Sequence, residues 1–119
     1  MSERLGKFIK LLSDKKAEDI VTLDISSKVD YADYLIICSA HSTKHAQGLS
    51  DYLSFELEKE GIKPLSIEGW ETGNWIVLDY GDIIVHIFFE PVRDLYALEE
   101  LWSDFPPQRI FKKLKENYN

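Results

Sequence analysis

The stretch from Trp75 to Phe89 constrains the fold most. Trp75-Ile76-Val77-Leu78-Asp79 and Ile83-Ile84-Val85-His86-Ile87-Phe88-Phe89 are two β-rich apolar runs. They flank Tyr80-Gly81-Asp82, a tight-turn sequence, and together predict a strand, a turn and a strand. Tyr34 to Ser39 reads as another nearly continuous apolar strand, covered on both faces, and Asp19 to Ile25 as a β-branched partner.

Helical spacing supplies the covering layer. Leu5, Phe8, Ile9 and Leu12 fall at i, i+3, i+4 and i+7 and predict a short amphipathic helix ending near Asp14-Lys15-Lys16. Ser42 or Thr43 is a candidate N-cap for a second helix, in which Ala46, Leu49, Leu53 and Leu57 recur until Gly61 stops it. Leu65 to Glu68 alternates like an edge strand. Pro91 suits the first turn of a helix that carries Leu95, Leu98, Leu101 and Trp102. The order α-β-β-α-β-β-β-α predicts an α/β fold with a single mixed β-sheet and packed helices.

Charge divides the chain unevenly. Of the 119 residues, 1–105 hold ten basic and twenty acidic residues, a net −10, whereas 106–119 hold four basic and one acidic, a net +3. The break coincides with Pro106-Pro107, so the sequence predicts a domain over 1–105 and a basic C-terminal tail, read as a short helix, over 106–119. An acidic body argues against a general nucleic-acid binder. The tail is the exception, and Arg109, Lys112, Lys113 and Lys115 are candidate RNA contacts. The lone Cys38 lies in an apolar run, which excludes an intrachain disulfide framework and fits a reducing, cytoplasmic location. No apolar run approaches the length of a membrane span.

Catalytic motifs are missing. Neither a nucleophile elbow nor a phosphate-binding glycine loop occurs. His41 and His45 have the i, i+4 spacing of paired metal ligands but lack the Glu of a zincin, and read instead as solvated or capping groups. His86 interrupts an apolar strand, as a hydrogen-bonded structural histidine or an interface residue. Asp79 and Asp82 bracket the turn, a place where Asp ordinarily binds backbone. The chain is therefore expected to be a non-enzyme with neither metal nor cofactor. Trp70, Trp75 and Tyr80 sit in or beside loops among Glu68, Glu71, Asp79 and Asp82. Aromatics ringed by acids are either loop anchors or a binding surface for a basic partner.

The run from Glu68-Gly69 through Trp75-Ile76-Val77-Leu78-Asp79-Tyr80-Gly81-Asp82-Ile83-Ile84-Val85-His86 resembles the signature of the ribosomal silencing factor family, also called Iojap. The following Arg93-Asp94-Leu95-Tyr96-Ala97-Leu98-Glu99-Glu100-Leu101-Trp102 resembles its signature helix, and Thr22-Leu23-Asp24, Asp33-Tyr34-Leu35, Ser42 and His45 fall in family order. The resemblance implies a nucleotidyltransferase-like topology without its catalytic residues. It further implies binding to the large ribosomal subunit through its fourteenth protein, which blocks joining of the small subunit and represses translation when nutrients are scarce. Late large-subunit assembly and a homodimer when free are also implied, as are apolar partner contacts at Trp75 and Tyr80. The acids Asp79, Asp82 and Glu71, with Trp70 and His86, complete the expected partner-binding set. The other reading is a degenerate nucleotidyltransferase-like nucleotide-binding enzyme using Asp79 and Asp82. Strand parity sets a condition on the pair of aromatics: Trp75 and Tyr80 fall on opposite faces unless the turn redirects Tyr80 or both lie at the strand's exposed end.

Overall fold

A computed structural model describes residues 3–96. The expected domain boundary near 105, the basic tail and its four candidate RNA contacts lie outside the described residues. Eight elements follow in the expected order: α1 (Glu3–Asp14), β1 (Glu18–Asp24), β2 (Tyr34–Ala40), α2 (Thr43–Glu58), β3 (Ser66–Glu68), β4 (Trp75–Asp79), β5 (Ile83–Phe89) and α3 (Glu90–Tyr96). The five strands form one mixed sheet in the order β1-β2-β5-β4-β3. β5 runs parallel to β2, and the other pairs are antiparallel. The most apolar strands thus lie inside the sheet, as their lack of polar alternation requires.

Two cores form on the two faces. On one, α1 and α2 bury Leu5, Phe8, Leu12, Leu49, Leu53 and Leu57 against Ile36, Cys38, Ile76, Leu78, Val85 and Ile87. Each fully buried leucine contributes about 1.5–3 kcal/mol relative to exposure, so these two helices carry much of the hydrophobic stabilisation. On the other face, Leu35, Ile37, Trp75, Val77, Ile84 and Phe88 pack with Ile25 and Ala32, and with the half-buried Val29 and Val92. Arg93 of α3 reaches back from this side, donating from Nη1 to the Asp19 carbonyl at 2.6 Å and to Ser39 Oγ at 2.9 Å.

Local chemistry fixes the ends. Ser42 is the N-cap of α2, its side chain accepting from the His45 N–H at 2.9 Å. Gly61, at φ +78°, follows the end of the helix in the left-handed conformation that suits glycine. β1 begins one residue earlier than the sequence suggests, with a register shift between Glu18 and Val21 and Asp19 at φ +47°.

Candidate functional site

The β4–β5 hairpin carries five of the seven residues expected to bind a partner: Trp75, Asp79, Tyr80, Asp82 and His86. Its turn closes with the Tyr80 N–H donating to the Ile83 carbonyl at 2.9 Å. Gly81, the first central residue, has φ +88°, as a hairpin turn of the mirror-image kind requires. Asp79 Oδ1 accepts the Gly81 N–H at 2.8 Å. Asp82 pairs through Oδ2 with Arg4 Nε at 2.8 Å, and its carbonyl accepts from the N–H groups of Asp33 and Tyr34 at the start of β2. The Asp79 carboxylate therefore binds backbone within its own turn, whereas the Asp82 carboxylate ties the turn to α1 and the Asp82 backbone carbonyl ties it to β2.

Trp75 opens β4 on the α3 side of the sheet. Its Nε1–H donates to His86 Nδ1 at 2.9 Å, and its ring stacks on Phe88 with centroids 5.0 Å apart. Accepting at Nδ1 fixes the neutral tautomer of His86 with its proton on Nε2. Burial favours the neutral ring further and pushes the His86 pKa down to about 3. His86 is thus buried and hydrogen-bonded, and it orients the indole. Gly69 is needed beside this group, since a Cβ there would stand 2.0 Å from the Trp75 carbonyl oxygen.

Tyr80 stays on the opposite face with Ile76 and Leu78, among the α1 and α2 residues. Its ring meets Phe8 edge-on, centroids 4.9 Å apart, and its hydroxyl is buried with no hydrogen-bond partner among the described residues. Burial pushes its pKa up to about 12, partly offset by the nearby Arg4 guanidinium. The turn does not redirect Tyr80, so Trp75 and Tyr80 lie on opposite faces of the sheet. Neither is widely open: Trp75 is 8% exposed and Tyr80 5%.

The loop before β4 places Trp70 and Glu71 on the surface against α2. Trp70 Nε1–H donates to Asp51 Oδ1 at 2.9 Å, and Gln47 Nε2 donates to the carbonyls of Trp70 and Glu71 at 2.7 and 3.2 Å. Gly73 closes the loop under the start of α2, where a Cβ would come within 2.6 Å of the Thr43 carbonyl. Trp70 is both an anchor and 40% exposed. Nothing local in the sequence marks Gln47 and Asp51, since their partners are 19–24 residues away.

The remaining chemical candidates have internal duties. His45 accepts the His41 N–H at Nδ1 (3.1 Å), and its Nε2 lies 2.9 Å from the Lys15 carbonyl, so both ring nitrogens link backbone segments. No group of three or more metal-ligating side chains occurs among the described residues. Burial raises the Cys38 thiol to about 12, which leaves it without thiolate character near neutral pH. No helix among the described residues is long and apolar enough to cross a membrane.

A family model described as ribosomal silencing factor during starvation matches residues 1–119. The chain belongs to the ribosomal silencing factor family. This is a family of non-enzymatic factors that bind the large ribosomal subunit and silence ribosomes. The ribosomal silencing factor RsfS of Bacillus subtilis is 38% identical over 93 residues, covering 78% of this chain and 79% of the relative. The mouse protein named mitochondrial assembly of ribosomal large subunit protein 1 is 30% identical over 102 residues, covering 83% of this chain and 45% of its own length. The crystal structure of a Chromobacterium violaceum protein superposes with a TM-score of 0.80 at 31% identity, covering 90% of this chain and 91% of the other.

Proposed function

We propose that this ribosomal silencing factor docks through its β4–β5 hairpin region on the fourteenth protein of the large ribosomal subunit and sterically blocks joining of the small subunit. The observation that carries the reading is the family signature held in one rigid hairpin. Trp75 is braced by His86 and Phe88, and the turn is locked by Asp79 and Asp82. Such pre-organisation limits the entropy lost on binding. The acidic body suits a basic ribosomal protein and would speed encounter. Within this reading Trp75, Asp79, Asp82, Trp70 and Glu71 belong to the partner-facing region. His86 and the buried Tyr80 shape it from within. A topology of nucleotidyltransferase type that has lost its chemistry accords with turn carboxylates engaged by Gly81 and Arg4. Silencing under nutrient limitation and assisting late large-subunit assembly are two outcomes of the same binding, and both place the factor in the ribosome's own compartment, the cytoplasm in a bacterium.

Isolated large subunits test the proposal. Trp75→Ala is expected to lower co-sedimentation by more than tenfold, whereas Trp75→Phe, which keeps a ring on Phe88, retains most of it. Cross-linking from the hairpin should name the fourteenth protein as nearest neighbour. Undiminished binding by a folded Trp75→Ala protein, or a different nearest neighbour, would remove the hairpin from the interface. Arg109, Lys112, Lys113 and Lys115 are proposed to touch ribosomal RNA beside it. Truncation at Pro106 should then flatten the salt dependence of binding by about one slope unit for each phosphate that the tail neutralises.

A further inference from the structure

Five large hydrophobic side chains are exposed among the described residues, and four of them lie on α2, on β3 or within two residues of β3. They are Phe55 at 61%, Leu65 at 75%, Ile67 at 40% and Trp70 at 40%. Trp70 is tied to Asp51 of α2, and Phe55 lies one helical turn beyond Asp51 on the same helix face. Ile67 pairs with Leu78, whose side chain lies in the α1/α2 core, so Ile67 and, by parity, Leu65 belong to the helix side of the sheet. Leu65 is fixed at the far end, its N–H donating to the Asp79 carbonyl at 2.7 Å. The strip thus runs from the braced loop at Trp70 to the hairpin turn, on the opposite face from Trp75.

Charge narrows what can cover it. Residues 51–71 contain six acidic and two basic side chains, a net −4. A second copy would set acid against acid, and a nucleic-acid backbone would be repelled. β3 is the outer strand of the described sheet and only three residues long. Its edge can accept a short extended segment, with backbone pairing supplying affinity and alternate side chains meeting the apolar strip. Trp70 sits on a loop whose Gly69 and Gly73 are packed against backbone, so it is held in place before any partner arrives.

We infer that the α2–β3 edge is a second docking surface, separate from the Trp75 face, for an extended protein segment in which lysines or arginines alternate with apolar residues. The segment lies along β3, its apolar side chains on the helix side with Leu65, Ile67 and Phe55 and its alternate cations on the other side of the strand, toward Glu68.

The test needs no ribosome, so it stands or falls apart from the hairpin reading. The full chain, labelled with 15N, is titrated with a Lys-Leu-Lys-Val-Lys peptide, with Glu-Leu-Glu-Val-Glu, with an oligouridine, and by dilution alone. The expected result is saturable shifts from the basic peptide alone, at the Trp70 indole N–H and the amides of 65–68. Phe55→Ser and Leu65→Ser, both at exposed positions, should each weaken that binding by at least tenfold while leaving the remaining spectrum native. Shifts of equal size with the acidic peptide, shifts at this edge from oligouridine or on dilution, shifts confined to another face, or none at all would each overturn the inference.

Discussion

The two faces of the sheet are built on different principles. The α1/α2 face is an apolar contact of leucines and isoleucines, and the buried Tyr80 within it has a hydroxyl without a partner among the described residues. The α3 face contains specific polar pairs instead: Trp75 with His86, and Arg93 with Ser39 and the Asp19 carbonyl. Apolar burial is non-directional and mainly stabilises, whereas buried hydrogen bonds contribute modest net stability but fix orientation. The helix face therefore secures the fold, and the α3 face holds one tryptophan in one pose.

That contrast can be broken most directly at Leu53, which is fully buried under α2. Leu53→Ala should cost about 2–5 kcal/mol in urea unfolding, more than any single polar deletion on the other face. A loss below about 1 kcal/mol would mean that the helix face does not dominate.

Acid probes the α3 face. The His86 pKa is about 3 in the folded protein against an ordinary value of 6.5. Below pH 6.5 the unfolded chain therefore takes up a proton that the folded protein refuses, and this contribution to stability is progressively lost as pH falls toward 3. At pH 5 the unfolding equilibrium should have shifted by about 30-fold from this group alone, near tenfold per pH unit. His86→Phe should remove that part of the acid slope, as read from unfolding midpoints between about pH 7 and 5. An unchanged slope would show that His86 accepts a proton while folded.

The smallest expected effect sharpens the comparison. Tyr80→Phe deletes a buried hydroxyl that makes no hydrogen bond among the described residues, so thermal melting should be unchanged or rise by up to about 1 kcal/mol equivalent. A clear drop would reveal a hydroxyl partner, such as a buried water, and make the helix face less purely apolar than its side chains suggest.

Much of this was legible in the sequence because it is local. Periodicity located α1 and α2, the Ser42 cap and the hairpin, since each depends on residues within a few positions of one another. Parity correctly assigned Trp75 and Tyr80 to opposite faces. Their depth was not legible, because burial of a turn-flanking Tyr80 depends on Phe8, 72 residues away in sequence. Nor was the pairing of Trp75 with His86, since two adjacent strands bring them together only when the register aligns Trp75 with Phe88 and Val77 with His86. The insertion of β5 between β2 and β4 is likewise a choice of topology that element order leaves open. Phe55 falls off the helical stripe of Ala46, Leu49, Leu53 and Leu57, but how far it and Leu65 are open to solvent depends on three-dimensional packing.

The place of β5 at the centre of the sheet also governs how the chain can come to fold as it is made. The strand that bonds β2 on one side and β4 on the other is the last of the five to be synthesised. Until residues 83–89 have emerged, β2 and β4 each present an unpaired inner edge, and the two helices have only half a sheet to cover. The parallel β2–β5 contact joins residues 49 apart, a long loop to close before it contributes anything. Nascent chains stopped before Ile83 should accordingly remain protease-sensitive, and the domain should acquire resistance in one step once β5 is free of the exit tunnel.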